Sequence, residues 1–234
     1  MRAWWPQTRT ATALGGPACV RTLRGRMYAR RAPVAILRFL ASVSLVSGVL
    51  LVLDVGATLL WQEPVSAAVA GGRQAGLGQE LDTALRKGAP PGRSRAPARG
   101  NAGWRLDAPG LGRSLVVVEG TDEASLRRGP GHYPDTPLPG GGGTVGIAGH
   151  RTTWGAPFRR IDRLHKGDVV TLTGPEGRYR YAVEGSRIVS PRAVEVVRPV
   201  GYERVVLTAC HPLYSAAQRF VVFARRVPDG PRGS

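Results

Sequence analysis

The chain runs to 234 residues, room for one ordinary domain plus tails, and carries 33 Lys and Arg against 16 Asp and Glu, a formal net charge of +17. The excess lies in the flanks: residues 104–227 hold 18 basic against 11 acidic side chains, with no basic helix interleaved with aromatics, which argues against a nucleic-acid partner. Two cysteines, Cys19 and Cys210, do not make a disulfide framework, and they lie on opposite sides of a hydrophobic segment.

Residues 1–33 hold seven Arg and no acid, and read as a basic cytoplasmic tail. Residues 34–61 read as a transmembrane signal-anchor helix. Phe39 to Leu53 carries no charge, and apolar character resumes after Asp54 through Trp61. Phe39–Trp61 is 23 residues, or about 34 Å of helix, against a hydrocarbon core of about 30 Å. Arg38 can snorkel at one end, and Trp61 suits the aromatic belt at the other. A charge at a helix centre costs roughly 2.5–3.5 kcal/mol, so Asp54 belongs towards the outer interface. The arginines ahead of the segment set the N-terminus inside and the bulk of the chain outside. The expected location is therefore the cell membrane, single-pass, with the folded part extracellular. A cleaved signal peptide is the rival, since Ala68-Val69-Ala70 offers a small-x-small site, but the apolar stretch exceeds the usual h-region of about 7–15 residues. A buried core helix is the third option, and the one-sided basic flank argues against it.

Residues 62–103 read as an extracytoplasmic linker. Leu77, Leu81 and Leu85 recur at i, i+4 and i+8, which predicts a short amphipathic helix around 77–86. The Pro, Gly and Arg-rich stretch that follows is expected to be mobile, and 71–103 as a whole too polar to add to a core. From Trp104 the texture changes to short apolar runs split by Gly and Pro. Leu115–Val118, Thr144–Ala148, Val169–Leu172, Arg178–Glu184, Arg187–Val189, Arg204–Thr208 and Phe220–Ala224 read as strands. Phe158, Ile161 and Leu164 fall on one face of a short helix that His165-Lys166-Gly167 would terminate. A mainly β domain over 104–227 follows, either a closed or nearly closed barrel or a sandwich, with 228–234 as a C-terminal tail.

Three strand ends carry chemistry. Arg204–Thr208 runs on into Ala209 and a lone Cys210, Gly146-Ile-Ala-Gly149 runs into His150, and Gln218-Arg219 opens the strand at Phe220. An acyl-transferring thiol needs a nucleophile, a base within reach and a cation or amide donors for the oxyanion. The three ends supply one of each. A lone Cys after a strand can equally be an inert small hydrophobe, His150 a solvated loop residue, and Arg219 a surface charge like Arg225. His211 adjoins the cysteine, but neighbours on an extended segment point to opposite faces, so it reads as shaping the loop after the nucleophile. His165 is explained by a helix C-terminus, and His132 by a turn near the site. No metal site is expected, because no two Cys or His ligands sit at chelating spacing. Gly140–Gly143 precedes a strand and lacks the Lys-Ser/Thr of a phosphate loop.

These residues together resemble the sortases, most closely the class E enzymes of actinobacteria. The resemblance runs through Gly129-Pro-Gly-His-Tyr-Pro134, Gly146-Ile-Ala-Gly-His-Arg-Thr-Thr-Trp-Gly-Ala-Pro-Phe158, Leu164-His-Lys-Gly-Asp168 and Leu207-Thr-Ala-Cys-His-Pro212, with Arg219 nine residues after the cysteine. Trp61-Gln-Glu-Pro64 is similar too. Val206 and Ala209 stand at the two Thr positions of the family's T-L-x-T-C motif. The resemblance implies an eight-stranded closed barrel and cleavage of a C-terminal sorting pentapeptide, Leu-Ala/Pro-x-Thr-Gly, between Thr and Gly. It implies an acyl-enzyme on Cys210, His150 as acid/base, Arg219 as the transition-state cation, and Tyr133, Thr208 and His211 as candidate substrate-binding residues. The implied acceptor is an amine of a peptidoglycan precursor or a pilin, and no cofactor is required. Two other readings stand beside this one: a non-catalytic wall-binding or scaffold domain on a membrane stalk, and a plain cysteine peptidase in which water resolves the acyl-enzyme.

Overall fold

The computed structural model describes residues 25–61, 64–88 and 95–228. Cys19, Arg2, Arg9, Arg21, Arg24, Gln62, Glu63 and residues 89–94 and 229–234 lie outside the described residues, and so do the side chains of Trp61 and Pro64. The chain divides into two compact units, residues 1–56 and 57–234.

The described residues of the first unit belong to one helix, α1, Gly25–Trp61. Its stretch Val34–Ala57 is 24 residues long with a mean hydropathy of 2.3, long and apolar enough to cross a membrane. Leu37, Phe39 and Leu51 are each more than three-fifths exposed, and none of the window is buried within the protein. The core-helix alternative is thereby removed.

In the second unit, eight strands close into a barrel in the order β1-β2-β3-β4-β7-β8-β6-β5. They are β1 Ala102–Asp107, β2 Leu115–Glu119, β3 Gly131–His132, β4 Thr144–Gly149, β5 Val169–Gly174, β6 Gly177–Val189, β7 Arg204–His211 and β8 Gln218–Val227. Closure leaves no edge for a second sheet to answer, which excludes the sandwich. The pairs β2/β3 and β4/β7 are parallel and the rest antiparallel. Arg178–Glu184 and Arg187–Val189 are one strand, β6, whose register with β8 shifts between Val183 and Gly185, just past the end of its pairing with β5 at Ala182. β1 and β3 were not among the expected strands.

Alternation sorts the side chains cleanly. Val145 and Ile147, Val205, Leu207 and Ala209, and Val222 and Ala224 fill the barrel. Val206, Val221 and Phe223 face outward, where the β6–β7 connection covers them with Val196. β7 is therefore buried on both faces, which is why Arg204–Thr208 reads as a nearly continuous apolar run. Phe158, Ile161 and Leu164 are all buried as their spacing implies, but only Ile161–Arg163 is helical, and it is a single 3-10 turn. The segment is held at both ends by backbone bonds, Phe158 to the His150 carbonyl and Gly167 to that of Val183, which leaves no length for an α-helix. Helix α3, Glu123–Arg128, was not expected; Asp122 caps it by accepting from the Ser125 amide at 3.1 Å.

The linker reading needs correcting between 64 and 87. Helix α2 is Pro64–Lys87, far longer than 77–86, and it is packed on the barrel. Leu77 and Leu81 are buried against Ala102, Val116 and Val118, with Leu85 alongside. β3 is too short to cover all of β2, and Gln74 pairs with the exposed backbone instead. Its amide donates to the Val116 carbonyl at 3.2 Å while its carbonyl accepts from the Val116 amide at 2.8 Å. Glu80 accepts from the Ala102 amide, and Asp82 pairs with Arg105 at 2.7 Å. The polar residues of α2 thus bond to β1 and β2 and its leucines supply the apolar contact. Leu81→Ala, which empties a fully buried site, is expected to lower the unfolding free energy by about 2–5 kcal/mol. Denaturant titration of fragment 64–228 checks this, and a loss below 1 kcal/mol would mean the helix is not docked in solution.

Candidate active site

Sheet register brings the three chemistry-bearing strand ends together. β4 and β7 run parallel with Gly149 opposite Ala209, so His150, just past the end of β4, and Cys210, still within β7, are the next residues of adjacent strands. β7 and β8 are antiparallel with Cys210 directly opposite Arg219. Directly paired antiparallel residues have Cβ atoms about 4.5–5.5 Å apart. Cys210 and Arg219 share the outward parity of Val206 and Val221. The reacting groups therefore lie on the outer wall of the barrel, at one end.

Cys210 is a free, half-buried thiol. His150 is half-buried, and its Nδ1 lies 3.2 Å from the Thr153 hydroxyl. That hydroxyl can accept from Nδ1–H, which leaves the Nε2 lone pair free to take a proton; Nε2 is buried and has no partner among the described residues. Burial pushes the His150 pKa below the usual imidazole value, and the Glu123 carboxylate opposes this. The ring is accordingly neutral around pH 7 and gives up a proton readily once it holds one. Arg219 uses Nη1 to donate to the carbonyls of Ala216 and Gln218, both at 2.9 Å, so one arm of the fork is anchored in its own loop.

Tyr133 and Thr208 are brought to the same wall. Thr208 lies two residues before Cys210 and bonds the Tyr133 hydroxyl at 3.0 Å. The Tyr133 ring lies over Gly146, where a Cβ would come within 2.6 Å of it. Only glycine lets the ring come this close to β4. His211 is not with them. It has the inward parity, its Nδ1 accepts from Arg151 at 3.0 Å, and its ring centroid is 6.1 Å from that of Phe220. His132 is not a turn residue: it is buried on β3, with Nδ1 2.9 Å from Glu119, Nε2 within reach of the Thr136 hydroxyl, and the Trp104 ring tilted against it with centroids 5.2 Å apart. His165 is exposed in a turn closed by its amide on Asp168, just past the single 3-10 turn Ile161–Arg163 and not at the end of an α-helix.

The loop after His150 is held from several sides. Gly149 lies against Phe158, where a Cβ would come within 2.6 Å of the ring. Trp154 and Ala156 adopt positive φ of 54° and 43°, and such strain persists only where surroundings enforce it. Arg127 of α3 lies over the Trp154 ring at 4.7 Å, and Arg73 of α2 at 5.7 Å. Arg113 donates to the Gly155 carbonyl at 2.6 Å, and Ala70 of α2 packs against Gly155 itself. Sequence reasoning missed Thr153, Arg151 and Glu123. Thr153 and Arg151 sit inside the quoted Gly146–Phe158 string and could have been asked for partners; Glu123 carried no signal.

The sortase domain is matched by residues 106–227. This chain belongs to the sortase family. The family is one of transpeptidases, cysteine-based acyl transferases. Sortase D of Bacillus subtilis is 33% identical over 135 residues, covering 56% of this chain and 67% of the relative. Sortase SrtE1 of Streptomyces coelicolor is 30% identical over 227 residues, covering 89% of this chain and 63% of that protein, so the chain spans somewhat less than two thirds of it. The structure of sortase E from Streptomyces avermitilis superposes with a TM-score of 0.51 at 32% identity, covering 56% of this chain and 91% of that one. The closed eight-strand barrel is the sortase architecture.

Proposed function

We propose that the chain is a membrane-anchored cysteine transpeptidase that cleaves a C-terminal sorting pentapeptide, Leu-Ala/Pro-x-Thr-Gly, between Thr and Gly and transfers the protein to an amine. α1 is the single-pass anchor, with the N-terminus cytoplasmic and the barrel extracellular; the arginine-rich flank and the apolar window support this. The acceptor is an amine of a peptidoglycan precursor or a pilin.

The observation that carries the reading is the register of three strand ends, Cys210 opposite Arg219 and His150 beside Cys210 on the same barrel wall. The Cys210 thiolate attacks the Thr carbonyl. The developing oxyanion lies by the Arg219 guanidinium, whose anchored arm leaves Nη2 and Nε to donate. Protonated His150 gives its Nε2 proton to the leaving Gly nitrogen as the C–N bond breaks, and a thioester remains on Cys210. An incoming amine then attacks the thioester, neutral His150 takes the amine proton, and the cysteine leaves. Tyr133 and Thr208 line the approach two residues up the strand.

Because burial disfavours imidazolium, the protonated His150 that the leaving nitrogen needs becomes scarce as the pH rises. A bell-shaped profile is expected, with the acid limb below the free-imidazole value of about 6.5. Glu123 raises the His150 pKa, so Glu123→Gln is expected to move that limb further down. A flat profile between pH 5 and 10 would contradict the assignment. The function itself is tested by incubating fragment 64–228 with fluorogenic Leu-Ala-x-Thr-Gly and Leu-Pro-x-Thr-Gly peptides, with and without triglycine. Peptide–triglycine conjugate is the expected product. Cleavage with water alone, unaffected by triglycine, would favour a cysteine peptidase, and no cleavage would favour a scaffold.

A further inference from the structure

The strand ends that carry His150, Cys210 and Arg219 each continue by one residue, and those three next residues meet. Arg151, His211 and Phe220 have the inward parity of Ile147, Leu207 and Val222, so they close the mouth of the barrel behind the outward-facing reacting groups. The Arg151 guanidinium is the hub. Its Nη1 donates to His211 Nδ1 at 3.0 Å, its Nη2 pairs with Asp162 at 3.0 Å, and it lies over the Phe220 ring at 5.5 Å. Its side chain is 4% exposed against 50% for Asp162, and its Nε is buried with no partner among the described residues.

Stability does not explain a guanidinium here. Asp162 is half-exposed, so its attraction is screened and seldom recovers the desolvation of the buried guanidinium, and the orphaned Nε adds a further penalty. An apolar side chain of similar length would fill the same space without either cost. The residue's distinctive property is its planar fork, which reaches two partners in fixed directions at once. Through His211 it holds the end of β7, through Phe220 the start of β8, through Asp162 the 3-10 turn, and through its own backbone the end of β4. Each reacting residue is one peptide bond away from a held one.

We propose that Arg151 is a positioning residue, a buried fork that sets the ends of β4, β7 and β8 so that His150, Cys210 and Arg219 converge on one peptide carbonyl. It touches no substrate. The proposal takes its substrate from the transpeptidase reading, but the convergence it explains is also readable in the chemistry of the thiol.

The test uses the full chain in detergent on a Cys19→Ala background, with Arg151→Met, Arg151→Lys and Asp162→Asn. Three quantities are measured: the melting temperature, kcat and KM on Leu-Ala-x-Thr-Gly, and the pH profile of Cys210 alkylation by iodoacetamide. Arg151→Met is expected to melt at or above the parent temperature while kcat falls roughly 10–100-fold with KM little changed. Its alkylation profile is expected to depart from the parent profile. Arg151→Lys is not expected to rescue, because one ammonium cannot span His211 and Asp162. Asp162→Asn keeps an acceptor in place and is expected to lose only a few-fold. Parent kcat and parent alkylation in Arg151→Met would overturn the proposal. So would activity losses that merely follow a falling melting temperature across all three variants. If the parent cleaves no sorting peptide, the transpeptidase reading fails by itself. The alkylation profile then decides alone, and coincident parent and Arg151→Met profiles refute the positioning role.

Discussion

Replacing Cys210 by Ala is expected to remove turnover altogether while leaving the barrel intact. Cys210 is the only thiol in residues 57–234 and the only side chain at the three strand ends that can carry an acyl group through a thioester. It is half-buried at the end of β7, outside the barrel core, so the sulfur contributes little packing. Far-ultraviolet circular dichroism and the melting temperature should therefore match the parent, and peptide cleavage should fall below about 1% of it. Residual turnover above that level, or a variant that fails to fold, would take Cys210 out of the role. Cys19→Ala, across the membrane in this reading, is expected to change nothing.

Arg219→Lys is expected to cost about 10²–10³ in kcat, the loss seen when one oxyanion donor is removed. The reason lies in how the side chain is used. Nη1 is already committed to the carbonyls of Ala216 and Gln218, which fixes the plane of the group and presents its other donors in a set direction. An ammonium carries the same charge but cannot hold the loop and face the oxyanion together. Arg219→Lys should accordingly lie close to Arg219→Ala, with Cys210 still alkylating at near the parent rate. Activity within threefold of the parent in the Lys variant would reduce Arg219 to an electrostatic bystander.

The reacting residues were legible because each stands at the end of an apolar run, and apolar runs are what a sequence displays most clearly. Arg204–Thr208 is apolar enough to betray a strand buried on both faces, so its terminus could be placed to within a few residues. β3 is two residues long and begins with Gly131, and no periodicity can be read from two residues. β1 alternates only over Trp104–Asp107 and carries an irregularity between Ala102 and Trp104, which broke its pattern. Gln74, Glu80 and Asp82 are among the polar residues that make this stretch read as a linker. Their partners are backbone groups and an arginine of β1 and β2, more than 20 residues away, and no local pattern records such a match. His132 was misjudged for the same reason: its Gly and Pro neighbours signal a turn, while the Glu119 that accepts it into the interior is 13 residues back. Arg151 shows the limit most sharply. Adjacent to a histidine in a polar loop it reads as surface charge, and only the closed barrel places it in the mouth.

The account stands or falls on a covalent intermediate, and the intact mass of the protein reports it directly. Fragment 64–228 is mixed with excess Leu-Ala-x-Thr-Gly peptide, quenched in acid and weighed. A mass increase equal to the Leu-Ala-x-Thr acyl group is expected, mapped to Cys210 by digestion and discharged when triglycine is added before the quench. Cleaved peptide with no adduct on Cys210 at any time, or an adduct that triglycine leaves in place, would contradict it.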